Sequence, residues 1–414
     1  MEVKKIIFCS MIGIAFLAAG VSHSYAQNMQ ETIGTVPAVN IVNDQSDVIS
    51  ESELEQVEQK TEDVGHEKPV QGDEQSNKPL WQKQEVQSDE QSVQEQKDDI
   101  GSKGSVVNPY VAYGYDQMAK DALQLEILYP DIIKLDSIGQ SVEGRNLLLI
   151  KLGKGSREIL LCGSHHAREY ISSSYLMKMV ETYSSYYKDV KDFGEYHVKD
   201  LLDEVTLYIV PMVNPDGVNL VQNGIDAVKD AEKVAAMTML QPHYSQWKAN
   251  INGVDLNRQY PAEWEVKKSN THVPSSEMFK GYSPASEPEV QAMMALSRQH
   301  EFLLAASFHS KGEVIYWADS GTYKEIPSAE KIADSISKLT EYKKMPVSQD
   351  PAIYGAGYEN WFRLEFKRPA FCIELTPFNN TDIPHADEKF DSLVWNKGKY
   401  MGLLLMQEAI DLQN

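Results

Sequence analysis

Tyr115, Met118, Ala122, Leu125 and Leu128 recur at helical spacing, and Pro130 stops the run, so a helix is expected just before residue 130. Residues 132–138 and 146–152 then read as two strands, joined by the turn-rich segment Gly139-Gln140-Ser141-Val142-Glu143-Gly144-Arg145. A short buried strand is expected at 159–162 and a long helix at 171–187. Another strand, 205–210, runs into Asn214-Pro215-Asp216-Gly217. Ser286-Glu287-Pro288-Glu289 has the spacing of a capping box that opens a helix to about Arg298. Three more strands are expected at 303–307, 314–317 and 370–373, and a final amphipathic helix at about 388–409. Strands alternating with helices over roughly 300 residues predict one α/β domain, residues 107–414, built on a twisted, largely parallel sheet.

The first 106 residues have a different texture. Lys4 and Lys5 precede a mostly apolar run, 6–21, and Ser24-Tyr25-Ala26 offers the small residues that a signal peptidase reads. Residues 1–26 are therefore expected to be a cleaved export signal, which makes the protein secreted and leaves association with the cell wall open, with no stable membrane insertion afterwards. Residues 27–106 are dominated by Gln, Glu, Asp and Ser, and Asp-Glu-Gln-Ser occurs twice, at 73–76 and 89–92. Apolar residues there are too sparse to offset the entropy of ordering, so a disordered acidic linker is expected.

Charge narrows the function classes. The chain has 414 residues, 61 acidic against 39 basic, and a formal net charge of −22. Between 27 and 106 there are 18 acidic and 6 basic residues, so over half of the excess lies in the linker. Such a balance excludes a protein that grips nucleic-acid phosphates. Three cysteines (Cys9, Cys162 and Cys372) are too few for a disulfide scaffold.

Candidate chemistry clusters where strands end. His166-Ala167-Arg168-Glu169 follows the strand 159–162 through Gly163-Ser164. A His and a Glu three apart can turn toward one metal ion, but the spacing alone is weak: His385 and Glu388 repeat it in a polar stretch with no strand before it. His309 directly follows an apolar run and is the best third ligand. Two His and one Glu leave a fourth position for water, the pattern of catalytic rather than structural zinc. Glu374 follows the strand 370–373 and would serve as general base. Asn257 and Arg258, in Gly253-Val254-Asp255-Leu256-Asn257-Arg258, offer an amide and a planar fork suited to a carboxylate. Taken singly, each could equally be a core histidine, a helix cap or a polar residue facing solvent.

With those motifs in this order, the chain from about Asn108 onward resembles the zinc metallocarboxypeptidases of the carboxypeptidase A type. The resemblance implies a mixed sheet of about eight strands flanked by helices and one Zn2+ held by His166, Glu169 and His309. It also implies water activation by Glu374 and help from Arg168 in polarising the scissile carbonyl. Asn257 and Arg258 would hold the free carboxylate, and Tyr354 would be the mobile tyrosine that closes over substrate. Lys248, after Trp247, stands where the digestive enzymes carry an oxyanion-stabilising arginine, giving a point charge in place of a fork.

Trp247-Lys248-Ala249-Asn250, Tyr260-Pro261-Ala262-Glu263-Trp264 and Gly357-Tyr358-Glu359-Asn360-Trp361 resemble a bacterial branch that contains γ-D-glutamyl-diaminopimelate peptidases. Glu359 lies where the family lines its specificity pocket, and an acid there suits an amino group on the departing residue. The expected substrate is a muropeptide or other peptide. A lysine or arginine at a peptide C-terminus would satisfy Glu359 as well, which keeps a general carboxypeptidase in play. The other classes are an inactive wall-peptide binding module and a surface protein whose acidic linker is the working part. A monomer is expected. Cys162 and Cys372 lie on strands that the family's sheet order is expected to place side by side, and both are expected to be free thiols.

Overall fold

The computed structural model describes residues 104–238, 243–378 and 384–413. The export signal expected at 1–26, and the acidic linker up to residue 103, lie outside them. Among the described residues an eight-stranded sheet forms the centre. Its strands are β1 (Ile133–Gln140), β2 (Asn146–Leu152), β3 (Arg157–Gly163), β4 (Val205–Val210), β5 (Ala305–His309), β6 (Val314–Tyr316), β7 (Lys343–Lys344) and β8 (Ala370–Glu374). They lie in the order β1-β2-β4-β3-β5-β8-β6-β7. The four central strands β4, β3, β5 and β8 run parallel. Antiparallel pairs flank them at β1/β2, β2/β4 and β8/β6. The sheet is mixed with a parallel centre, as expected.

The helices used below are α1 (Tyr115–Leu128), α2 (Ile171–Asp189), α3 (Val198–Glu204), α4 (Pro215–Asn223), α5 (Ala231–Met237), α6 (Pro288–Gln299), α7 (Ser328–Thr340), α8 (Pro351–Tyr354), α9 (Tyr358–Phe366) and α10 (Met401–Gln413). Strand side chains alternate between two faces, and the two cores follow that alternation. Ile159, Leu161, Ala306, Phe308 and Ile373 pack with α1, α2, α7 and α10. Leu160, Cys162, Ala305 and Ala370 pack with α6 and α9. Trp361 and Phe362 of α9 are fully buried there, each contributing on the order of 2–3 kcal/mol by leaving water. The chemistry lies at the carboxyl ends of β3, β5 and β8 on this second face, as the position of sites in open α/β sheets leads one to expect.

Three local expectations are corrected. Ser286 does not cap α6: its hydroxyl turns to Gln259 and Glu287, and the Glu289 carboxylate accepts from Val142 N and Asn250 Nδ2 instead of reaching back. The final helix is not continuous from 388. A turn at Asp387–Lys389 and a wide turn at Asp391–Trp395 precede α10, and just before α10 begins the Tyr175 and Tyr183 hydroxyls of α2 donate to the carbonyls of Gly398 and Lys399. The domain also begins earlier than residue 107. Ser105 Oγ and Val106 N both donate to the Glu181 carboxylate on α2. No helix among the described residues is long and apolar enough to cross a membrane.

Candidate active site

The turn after β3 is held in an unusual shape. Buried Ser164 adopts φ 50°, a conformation costly for a residue with a Cβ. Its amide donates to Ser172 Oγ at 2.9 Å, and its hydroxyl lies 2.7 Å from Ser173 Oγ. The chain then enters the 3-10 turn Ala167–Glu169, with His166 as its N-cap. Three residues per 3-10 turn bring positions i and i+3 to one side, so His166 and Glu169 converge while Arg168 points elsewhere. Asn214 braces the turn from α4: its Nδ2 donates to His165 O and Ala249 O, and its Oδ1 accepts from Gly217 N. A Cβ on Gly217 would lie 2.7 Å from the Ala167 Cβ, so only glycine lets α4 approach this closely.

His309 closes β5 and Glu374 closes β8, paired in register across two parallel strands. The three candidate ligand atoms meet at equal spacing. His166 Nδ1, His309 Nδ1 and Glu169 Oε2 are each 3.0 Å from one another. That approaches the roughly 3.3 Å edge of a tetrahedron with bonds of about 2.0–2.1 Å, and two imidazoles with one carboxylate suit zinc. Removal from water opposes ionisation of Glu169, yet the two imidazoles hold its carboxyl well below the usual range. Burial likewise works against a charged His309, but the hydrogen bond and charge of Glu169 hold it up at about 9. Beside them Glu374 Oε2 is closed off from solvent and has no hydrogen-bond partner among the described residues. Burial and the neighbouring Glu169 push the Glu374 carboxyl up to about 8. A donor triad plus an unpartnered carboxylate oxygen fits a bound metal ion.

A cavity of about 330 Å³ opens over this cluster. His166, Lys248, Asn257, Arg258, Glu359 and Glu374 all reach it, as does Tyr354. Asn257 Oδ1 accepts from Tyr358 N at 2.8 Å, and its Nδ2 lies 3.4 Å from His309 Nε2. Arg258 Nε donates to Asp255 Oδ2 at 3.0 Å, while its Nη2 meets only the weakly accepting Met278 Sδ. Lys248 Nζ stands 3.6 Å from the same Asp255 oxygen. Tyr354 OH rests at the rim, 3.2 Å from Glu263 Oε1 and 3.3 Å from Ser320 Oγ. Glu359 is not a surface acid on a loop: it lies buried in the first turn of α9, accepts from Ser307 Oγ, and sits 3.9 Å from His309 Nε2. Arg168 is not brought to the cavity. Its guanidinium donates to Gln246 O and Glu277.

The zinc carboxypeptidase family profile matches residues 118–390. The chain belongs to the zinc carboxypeptidase family. It is 34% identical to the γ-D-glutamyl-L-diamino acid endopeptidase 1 of Lysinibacillus sphaericus, over 70% of this chain and 71% of that protein. It is 29% identical to carboxypeptidase B of Rattus norvegicus, over 59% of each chain. In fold it matches bovine thrombin-activatable fibrinolysis inhibitor with a TM-score of 0.56, 19% identity, and coverage of 74% of this chain and 98% of that one.

Three features of this zinc carboxypeptidase were not read from the sequence. Asp255, two residues before Asn257, is 1% exposed and joins three functional groups. Its Oδ1 faces His166 Nε2 at 3.3 Å, and its Oδ2 meets Arg258 and Lys248. Burial opposes its charge, but Lys248, His166 and Arg258 hold its carboxyl well below the usual range. Ser307, two residues before His309 on β5, shares its face and fixes Glu359. Lys267 reaches the cavity from a loop with no periodicity to reveal it. The cysteines also need correction. β5 lies between β3 and β8, so Cys162 and Cys372 flank Ser307 in one row instead of being neighbours. Both are free thiols, as expected.

Proposed function

We propose that this member of the family is a secreted zinc-dependent metallocarboxypeptidase that hydrolyses a peptide bond beside a free carboxylate, with the γ-D-glutamyl-meso-diaminopimelate bond of cell-wall peptides as its substrate. The observation that carries the reading is the charge plan of one cavity. The His166–Glu169–His309 triad and Glu374 stand beside a carboxylate fork at Asn257 and Arg258, with the buried acid Glu359 within the same walls. A relative named for γ-D-glutamyl-L-diamino acid cleavage supports the substrate class.

His166, Glu169 and His309 would hold the zinc ion, which supplies Lewis-acid polarisation of the carbonyl and lowers the pKa of water. Glu374 Oε2, free of other partners, takes a proton from the attacking water and returns it to the departing amine. Lys248 offers positive charge to the carbonyl oxygen as negative charge develops there. Arg258 Nη2 and the Asn257 amide hold the free carboxylate, fixing which bond lies over Glu374. Tyr354, tied at the rim by two exposed hydrogen bonds, closes at small cost. Glu359 meets the amino group of the departing residue.

Glu359 also suits lysine or arginine at an ordinary C-terminus, so a basic carboxypeptidase is the second reading. Purified protein, with and without a zinc chelator, should be given peptides ending in γ-D-glutamyl-meso-diaminopimelate, in Lys and in Phe. Chelator-sensitive cleavage of the first is expected. Cleavage of only the Lys or Phe peptide would replace the wall-peptide reading by the second. Retained zinc with no cleavage of any would favour a binding module.

A further inference from the structure

Four cationic side chains line the catalytic cavity: Lys248, Arg258, Lys267 and Arg363. Three of them are matched by carboxylates. Arg363 donates Nε and Nη2 to Asp319 and Nη1 to Ala370 O, which matches its charge with a buried carboxylate. Lys248 and Arg258 share Asp255. Lys267 differs. Its ammonium donates to Ile353 O, and it pairs with no carboxylate among the described residues.

The position of Lys267 is built, not incidental. Its amide donates to Trp264 O at 3.2 Å, and the next amide, Lys268 N, donates to Ala352 O in α8 at 3.0 Å. Lys280 Nζ donates to Lys267 O at 3.1 Å while lying 4.2 Å above the Trp264 ring. The loop is thereby fixed at both sides of the residue, and the ammonium is held partly buried near two other cations. Burial, and then the charges of Arg258 and Lys248, push Lys267 down to about 8. An anion placed there relieves both penalties. The opposite charge is also provided. Beside Glu359, Asn360 commits its Nδ2 to Asp319 at 3.1 Å, leaving its buried Oδ1 without a partner as a second acceptor for an ammonium group.

We propose that Lys267 is a specificity-determining residue that takes a second carboxylate on the departing residue. The cavity then reads two carboxylates and one distal amino group: Arg258 with Asn257 takes the first carboxylate, Lys267 the second, and Glu359 with Asn360 the ammonium. A diamino-dicarboxylic acid such as meso-diaminopimelate satisfies all three, whereas lysine leaves Lys267 unmatched. This inference rests on the wall-peptidase reading.

The test compares wild type, Lys267→Met and Lys267→Arg on three substrates. γ-D-Glutamyl-meso-diaminopimelate carries every group; γ-D-glutamyl-L-2-aminopimelate lacks only the distal amine; γ-D-glutamyl-L-lysine lacks only the second carboxylate. Loss of one charge-assisted contact predicts a fall of about 10- to 100-fold in kcat/KM for the two dicarboxylates in Lys267→Met. The lysine substrate should change less than about threefold, and Lys267→Arg should restore most of the preference. An equal loss on all three substrates, or no loss on any, overturns the proposal. Calorimetric binding of free meso-diaminopimelate and free lysine to the same proteins gives a readout independent of cleavage, and equal effects of Lys267→Met on both ligands would also overturn it. If wild type cleaves none of the three yet binds meso-diaminopimelate through Lys267, the peptidase reading fails and the binding assignment stands.

Discussion

Asp255→Asn removes one charge at the point where three functional groups meet, while preserving shape. In the wild type the Asp255 carboxylate is 1% exposed and faces His166 Nε2 at 3.3 Å, Arg258 Nε at 3.0 Å and Lys248 Nζ at 3.6 Å. An outer-shell carboxylate on a metal-binding histidine is worth about 10- to 100-fold in metal affinity, so zinc should bind that much more weakly. Breaking a buried ion pair costs about 3–5 kcal/mol when the partner stays buried. Arg258 and Lys248 side chains are each 17% exposed and regain some water, so the lower end, about 3 kcal/mol, is expected. Zinc affinity is read by competition with a chromophoric chelator, and stability by urea unfolding of the metal-free protein. The metal-free measurement separates lost charge pairing from lost zinc. KM for carboxylate-bearing substrates should rise too, because Arg258 loses its anchor. Zinc affinity within twofold of wild type, together with an unchanged unfolding midpoint, would refute the role given to Asp255.

Glu374→Gln should retain zinc and substrate affinity but lose about 10²- to 10⁴-fold in kcat, the usual worth of a positioned general base; a loss under tenfold would move that role elsewhere. Glu359→Gln should weaken kcat/KM selectively for substrates with an amino group on the departing residue, and an equal effect on a Phe-terminated peptide would remove its specificity role. The preference for a second carboxylate should fade as pH rises through about 8. Burial and the Arg258 and Lys248 charges depress Lys267 below an ordinary lysine, with Lys280 adding to this and Asp255 opposing it, so its charge is present at pH 7 and lost above its own pKa. A dicarboxylate-to-lysine ratio of kcat/KM that stays flat from pH 7 to 9.5 would contradict this. Asn214→Ala, which strips three buried hydrogen bonds from the brace behind His166, should destabilise the fold by about 2–3 kcal/mol in chemical denaturation.

The candidate metal cluster was legible because its residues sit where apolar strands stop. β3, β5 and β8 each end within three residues of His166, His309 or Glu374, and a parallel sheet gathers such ends on one edge. Arg168 shows that a motif does not fix where each of its side chains points. Adjacent to Glu169 in sequence, it leaves on another side of a 3-10 turn and ends at Glu277. The cysteines show another limit: the sheet order expected from the family resemblance set β3 beside β8, whereas β5 enters between them. Glu359 was legible as a candidate, but neither its burial nor the Ser307 hydroxyl that meets it from β5 is encoded in its own segment. Lys267 had no local signature at all. Its position comes from α8 and from Lys280 holding the loop, contacts that no periodicity in residues 263–270 encodes.

The most direct test of the account is a zinc titration of chelator-stripped protein, followed by hydrolysis of γ-D-glutamyl-meso-diaminopimelate peptide. Activity should return linearly and saturate at one zinc per chain, and His309→Ala should show neither tight zinc binding nor recovery. Undiminished activity after stripping, saturation at two ions, or full recovery by His309→Ala would contradict a single catalytic zinc held by His166, Glu169 and His309.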